Sequence, residues 1–263
     1  MDLGIKGKVA LVGGASKGLG YASAERLALE GVKVALCARS EGPLRKAADG
    51  LASKAGVETL AIVADLSQPE DVARAVRTTV EKLGNLHILV CNTGGPPVLP
   101  FDSLDDAKWL EAFTLLHLSN IRLIRAALPH MRANNWGRII SIQSSSVKQP
   151  VPGLHLSNGM RPAVAGMFKS FMEEWAKANI TANVVLPGIF MTDRIVDKQT
   201  EIAQKTGRTL EQCLAGLAAN SVFGRLGRPE ELANVVAFLA SECASYITGA
   251  TYQVDGGMIR SNV

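Results

Sequence analysis

Cysteine is scarce and scattered in this chain. Cys37, Cys91, Cys213 and Cys243 lie far apart and form no Cys-x-x-Cys pair, which argues against a zinc site or a disulfide framework. No apolar run approaches the ~18–20 residues that a helical membrane span needs, so no membrane partner is expected. Basic residues never run to five in a row, and the net charge of +4 is spread along the sequence; nucleic acid is therefore not an expected partner. Residues Met1 to Lys8 hold no apolar signal region, and the unpaired cysteines suit a reducing compartment, so a cytoplasmic location is expected. What remains is a chain 47% hydrophobic and 20% charged, the composition of a globular protein with a sizeable core. Its 263 residues allow one large domain or two small ones.

The stretch that organises the sequence is Val9-Ala10-Leu11-Val12 followed by Gly13-Gly14-Ala15-Ser16-Lys17-Gly18-Leu19-Gly20. The four apolar residues read as a buried strand. After Gly20, Ala24, Leu27 and Ala28 recur at three and four, the period of an amphipathic helix. Glycines there let the backbone turn tightly and approach a ligand. The helix start offers free N–H groups and a positive dipole end, a site for an anion such as a pyrophosphate. The spacing is Gly14-x-x-x-Gly18-x-Gly20, and on it the chain resembles the short-chain dehydrogenases/reductases, whose first turn is usually Thr-Gly-x-x-x-Gly-x-Gly; Gly13 stands where that Thr would be. The resemblance implies a cofactor held by Gly14, Ser16, Lys17, Gly18, Leu19 and Gly20.

Further along, Val32–Arg39 reads as a second strand and 41–55 as a second helix, a rhythm that implies a parallel sheet with right-handed crossovers. At the tip of the second strand an acid favours NAD and an arginine favours NADP. Arg39 and Ser40 stand there with no acid, and with Lys17 they favour NADP(H) over NAD(H); the plainer reading of Arg39 is a solvated loop cation. The third strand, 59–67, carries Asp65 and Leu66, which the resemblance assigns to the adenine, although Asp65 or Ser67 can equally cap the helix expected from Pro69 to Leu83. His87, just before the fourth strand Ile88–Cys91, is expected to be structural. Asn92 and Gly94 match part of the family's Asn-Asn-Ala-Gly and imply contact with the cofactor ribose. A long helix is expected over Trp109–Arg132 and a fifth strand over Gly137–Ser146. Pro187, Gly188, Ile189 and Thr192 close a sixth strand and, by resemblance, flank the nicotinamide. Residues 193–222 would form a helical substrate lid. A helix to Leu239 and a last strand within 246–257 complete the pattern.

The resemblance breaks at the chemistry. The family uses Asn, Ser, Tyr and Lys; the matching positions here are Leu116, Ser144, Ser157 and Arg161. A serine hydroxyl is far too weak an acid to replace Tyr, and Arg161 holds its protons more firmly than a lysine. Arg161 preserves a cation that can anchor the cofactor ribose or grip an acidic substrate. His155 is the candidate proton donor, because imidazole donates near neutral pH, with Lys148 and His117 behind it; the plainer reading is an ordinary loop histidine. The resulting expectation is a single-domain α/β Rossmann fold over 1–263, a doubly wound parallel sheet of about seven strands with helices on both faces. Its expected function is an NADP(H)-dependent oxidoreductase related to 3-oxoacyl carrier-protein reductases, acting on a small or medium-sized carbonyl or alcohol with a non-standard acid–base group. The alternatives are non-redox chemistry on the same fold, such as an elimination or carbon–carbon cleavage, and a silent NADP-binding protein. The resemblance also implies a homo-oligomer, a tetramer or a dimer.

Overall fold

Seven short apolar segments alternate with helices and pair side by side. The strands are β1 (Val9–Gly13), β2 (Lys33–Ala38), β3 (Thr59–Val63), β4 (Ile88–Cys91), β5 (Gly137–Ile142), β6 (Ile180–Pro187) and β7 (Thr251–Val254). All pair in parallel, in the order β3-β2-β1-β4-β5-β6-β7. That order reverses between β1 and β4, the switch point where doubly wound sheets open a crevice. This computed structural model describes residues 1–261; of the domain expected over 1–263, the last two residues lie outside the described residues.

The connecting helices are α1 (Gly18–Leu29), α2 (Glu41–Ala55), α3 (Pro69–Leu83), α4 (Asp106–Phe113), α5 (Ser119–Ala133), α6 (His155–Ser170), α7 (Met172–Ala176), α8 (Asp193–Thr206), α9 (Leu210–Ala218) and α10 (Pro229–Leu239). Successive strand residues face opposite sides of the sheet, so each strand feeds two cores. Ala10, Val12, Ile88, Val90 and Val185 pack with α1, α2 and α10. Val9, Leu11, Leu89, Val184 and Leu186 pack with α3, α5 and α6. Cys37 and Cys91 are buried free thiols within β2 and β4. Burial pushes the Cys37 thiol up to about 12 and the Cys91 thiol up as well. His87 is structural: its Nδ1 accepts the Val9 N–H at 3.1 Å.

Where the expected strands ran long, side chains turned the backbone early. β3 ends at Val63 because the Asp65 N–H donates to Asp71 Oδ2 at 2.7 Å and the Ser67 N–H to Asp65 Oδ1 at 2.9 Å, folding 64–68 into a turn. β5 ends at Ile142, and Ser145–Val147 form a 3-10 turn begun by the Ser146 N–H bonding Ser144 Oγ. β6 ends at Pro187 rather than at Thr192, since Gly188 turns against β7, and β7 itself spans only Thr251–Val254. The long helix over 109–132 is interrupted: a π turn at Thr114–Leu118 separates α4 from α5.

Candidate active site

The strand ends at the switch point deliver the expected cofactor residues to one edge of the sheet. Gly14 and Gly18 have φ of +57° and +62°, a region that glycine enters without strain. A Cβ on Gly14 would stand 2.7 Å from Asn92 Nδ2, and one on Gly20 would run into the Gly14 carbonyl. Asn92 holds this turn by donating from Nδ2 to the Gly13 carbonyl at 3.1 Å. No side chain caps α1 and no acid lies in its first turn, so its first N–H groups and positive dipole end stay available to an anion. Arg39 and Lys17 are exposed and form no ion pair among the described residues. A negatively charged dinucleotide fits this cradle: glycines where a Cβ would intrude, a bare helix start, and two free cations.

The remaining cofactor positions have both structural and surface roles. Asp65 is half-buried and its Oδ1 accepts the Ser67 N–H within its own turn; the helix cap expected of Asp65 or Ser67 is not formed, since Gln68 stands at the N-cap of α3 and no side chain caps it. Leu66 is buried against Gly13. Ser16 and Leu19 are half-buried in the glycine turn, while Ser40 precedes α2 and is exposed, as is Gly94. Pro187 is buried; Gly188 sits so close to Asp255 that a Cβ would lie 2.7 Å from its Cα. Ile189 accepts the Gly227 N–H, and Thr192 precedes α8 and lies against Gly18. The Pro-Gly turn after β6 therefore meets the glycine turn after β1 across the crevice.

The positions expected to be catalytic sit around the end of β5 and on α6. Ser144 Oγ accepts the Ser146 N–H at 3.1 Å, which leaves its hydroxyl proton free to donate to a substrate oxygen. Ser157 and Arg161 are one helical turn apart on α6, both buried. Leu116, at the expected Asn position, is buried within the π turn, a distortion frequent at functional sites. A continuous polar chain links this position to Arg161. Arg161 Nη1 donates to Gln143 Oε1 at 3.1 Å, Gln143 Nε2 to Ser141 Oγ at 2.6 Å, and Ser141 Oγ to Asn120 Oδ1 at 2.8 Å. Asn120 Nδ2 then donates to the Leu116 carbonyl at 2.8 Å. Burial, with a smaller push from Arg194, brings the Arg161 guanidinium down to about 10, so it stays charged at neutral pH.

His155, His117 and Lys148 make no hydrogen bond to this group among the described residues. His155 opens α6 two residues before Ser157, which at 3.6 residues per turn puts it on nearly the opposite face, with its ring edge-on to Phe101 at 6.2 Å. His117 stacks on Phe113 at 5.3 Å; its Nδ1 is buried without a partner, and burial lowers its pKa. Lys148 closes the 3-10 turn and makes no ion pair among the described residues. Two residues escaped the sequence reading. Gln143 carried a signal, as a polar residue closing an apolar strand. Arg194 had only its position, two residues past Thr192. A hollow of about 330 Å³ lies between the end of α9 and β7, lined by Phe190, Leu217, Phe223 and Leu226, and none of Ser144, Ser157 and Arg161 borders it.

Comparisons with known proteins agree on this architecture. A family model described as Enoyl-(Acyl carrier protein) reductase matches residues 14–259. Diacetyl reductase [(S)-acetoin forming] of Staphylococcus aureus is 34% identical over 95% of this chain and 97% of its own. The 3-oxoacyl-[acyl-carrier-protein] reductase FabG of Haemophilus influenzae is 34% identical over 98% of this chain and 100% of its own. Among solved structures, L-sorbose reductase from Gluconobacter frateurii, complexed with NADPH and L-sorbose, superposes with a TM-score of 0.96 at 35% identity, covering 99% of this chain and 100% of that one.

Proposed function

The chain belongs to the short-chain dehydrogenase/reductase family, and from that premise we propose that it is an NADP(H)-dependent oxidoreductase that reduces the carbonyl of a small or medium-sized organic substrate. The observation that carries the reading is the convergence, at the carboxyl ends of parallel strands, of the bare α1 start, the free Arg39, and Ser144 with a hydroxyl proton to donate. When bound, the reduced nicotinamide supplies the hydride. Residues of the chain do the rest. Ser144 donates to the carbonyl oxygen, and the Arg161 cation favours the negative charge that develops there. Because the Ser157 hydroxyl is too weakly acidic and His155 lies on nearly the opposite face of α6, the proton reaches that oxygen from water, which makes the acid–base group non-standard. Arg39 and Lys17 would take the 2′-phosphate, and α8 with α9 would act as the substrate lid. The family resemblance extends to assembly, with a tetramer or dimer built on the helix after Arg161 and on 229–257, and to a cytoplasmic setting.

A second reading has one specific observation in its favour: the tyrosine position is a serine whose hydroxyl makes no hydrogen bond among the described residues. On that reading the same pocket performs an elimination or a carbon–carbon cleavage, while a silent NADP-binding protein would turn over nothing. One experiment separates them. NADPH is titrated into the pure protein, and a carbonyl and alcohol panel is then followed at the nicotinamide absorbance. Binding with an absorbance change supports the reductase; product formation without that change supports the second reading; binding with neither supports the silent protein.

A further inference from the structure

The Arg161 guanidinium is a buried cation with one of its three nitrogens engaged. Its side is 8% exposed, and Nη1 donates to both the backbone oxygen and Oε1 of Gln143, at 3.2 and 3.1 Å. Nε is sealed from solvent with no partner, and Nη2 makes no hydrogen bond among the described residues. No carboxylate of the chain comes within ion-pairing distance of Arg161 or Arg194 among those residues. A buried charge without a counter-ion is costly, and an orphaned donor adds to that cost.

A second guanidinium, that of Arg194, stands near enough for its charge to bear on Arg161. Arg194 starts the lid helix α8, and its side chain reaches back over the loop after β4, where Gly95 makes room: a Cβ there would lie 2.6 Å from Arg194 Nη1. The positive charge of Arg194 adds to the burial that weakens Arg161's hold on its proton. A buried guanidinium without a counter-ion, with a second cation near it, favours an anion at this place. The edge of a guanidinium that carries Nε and Nη2 is the one that grips a carboxylate with two parallel hydrogen bonds, and this is the edge that Gln143 leaves unused.

We propose that the substrate of this site is a carbonyl compound bearing a carboxylate, held between Arg161 on α6 and Arg194 on the lid with its carbonyl presented to Ser144. The proposal rests on the reductase reading for the role of the carbonyl, and the anion grip can be measured without turnover. Calorimetric titration of 2-oxobutanoate and its methyl ester into the NADP⁺-saturated protein should show the carboxylate binding at least about tenfold more tightly. Arg194→Gln, at an exposed position, should lose about tenfold for the carboxylate and leave the ester unchanged; Arg161→Lys should lose part of the preference and Arg161→Gln all of it. Equal affinity for acid and ester overturns the proposal. So does an Arg194→Gln variant that weakens NADP⁺ while sparing the acid, because the anion would then be the cofactor's phosphate. A parallel NADPH assay keeps the two readings apart. Reduction of neutral ketones with no preference for the acid overturns the anion grip and leaves the reductase, whereas selective binding of the acid with nothing reduced supports the grip and overturns the reductase.

Discussion

Arg39, exposed at the tip of β2 and free of any ion pair among the described residues, is where a single side chain should decide between two nucleotides. A charge-assisted hydrogen bond contributes about 1.5–3 kcal/mol, so Arg39→Ala should narrow the preference for NADPH over NADH by about 10–100-fold, read as the ratio of dissociation constants by fluorescence titration. A ratio unchanged by the substitution would return Arg39 to a solvated loop cation. Ser144 and His155 make a contrasting pair. Ser144→Ala removes the hydroxyl donor aimed at the carbonyl and should lower kcat by about 10²-fold. His155→Ala, on nearly the opposite face of α6 from Ser157, should change the rate by less than about threefold, and a loss comparable with that of Ser144→Ala would make the imidazole the donor after all. At this scale the sequence offered candidate positions but not their company: Gln143 reaches Arg161 only after β5 and α6 are folded together, and no spacing encodes that.

The elements themselves were largely legible, because alternating apolar strands and amphipathic helices write their periods into the sequence. Their ends were not. Asp65, Ser144 and Gly188 turn the chain through local hydrogen bonds and close backbone approaches that compete with the ladder, and the π turn at 114–118 leaves the apolar pattern of a continuous helix intact. The start of α1 offers a direct test. Gly20→Ala would push a Cβ into the Gly14 carbonyl and to 2.8 Å from Asn92 Nδ2, where backbone cannot yield cheaply. We expect a loss of about 1–3 kcal/mol by denaturant melts together with loss of NADPH binding. At α10, Glu231 accepts both Arg225 guanidinium nitrogens, at 2.8 and 2.7 Å, and the Arg228 N–H at 2.8 Å. Those bonds, Arg225 first, hold its carboxyl down to about 2 from an ordinary 4.5. A depressed folded-state pKa stabilises above the unfolded value and the gain disappears as pH falls through the folded one. Glu231→Gln should therefore melt below the parent at pH 6, and the gap should close between about pH 4.5 and 2. A gap that is constant with pH would show that the cap owes nothing to the charge.

For the molecule as a whole, the crevice divides the described chain's loops while the sheet joins its two cores, so a ligand that bridges the glycine turn and the Pro-Gly turn should tighten the entire fold. At 100 times its dissociation constant such a ligand adds about 2.7 kcal/mol, which for a chain of this size raises Tm by roughly 5–10 °C. NADPH should produce that shift and NADH at the same concentration much less; equal shifts would undo the nucleotide preference. The fold's global outline was readable because a strand-turn-helix rhythm implies a parallel sheet with right-handed crossovers and the family resemblance ran along nearly the whole chain; the strand order was not written in that rhythm.

The buried chain from Arg161 to the Leu116 carbonyl has a polarity that bears on where protons can travel. Every link donates in the same sense, beginning at a guanidinium that can only give and ending at a carbonyl that can only receive. Two of the links are amides, which would have to pass through imidic acid forms to hand a proton on. The chain is thus an insulator rather than a wire. It fixes Arg161 in direction and carries no proton along its own line, so the proton that completes a reaction here comes by another route.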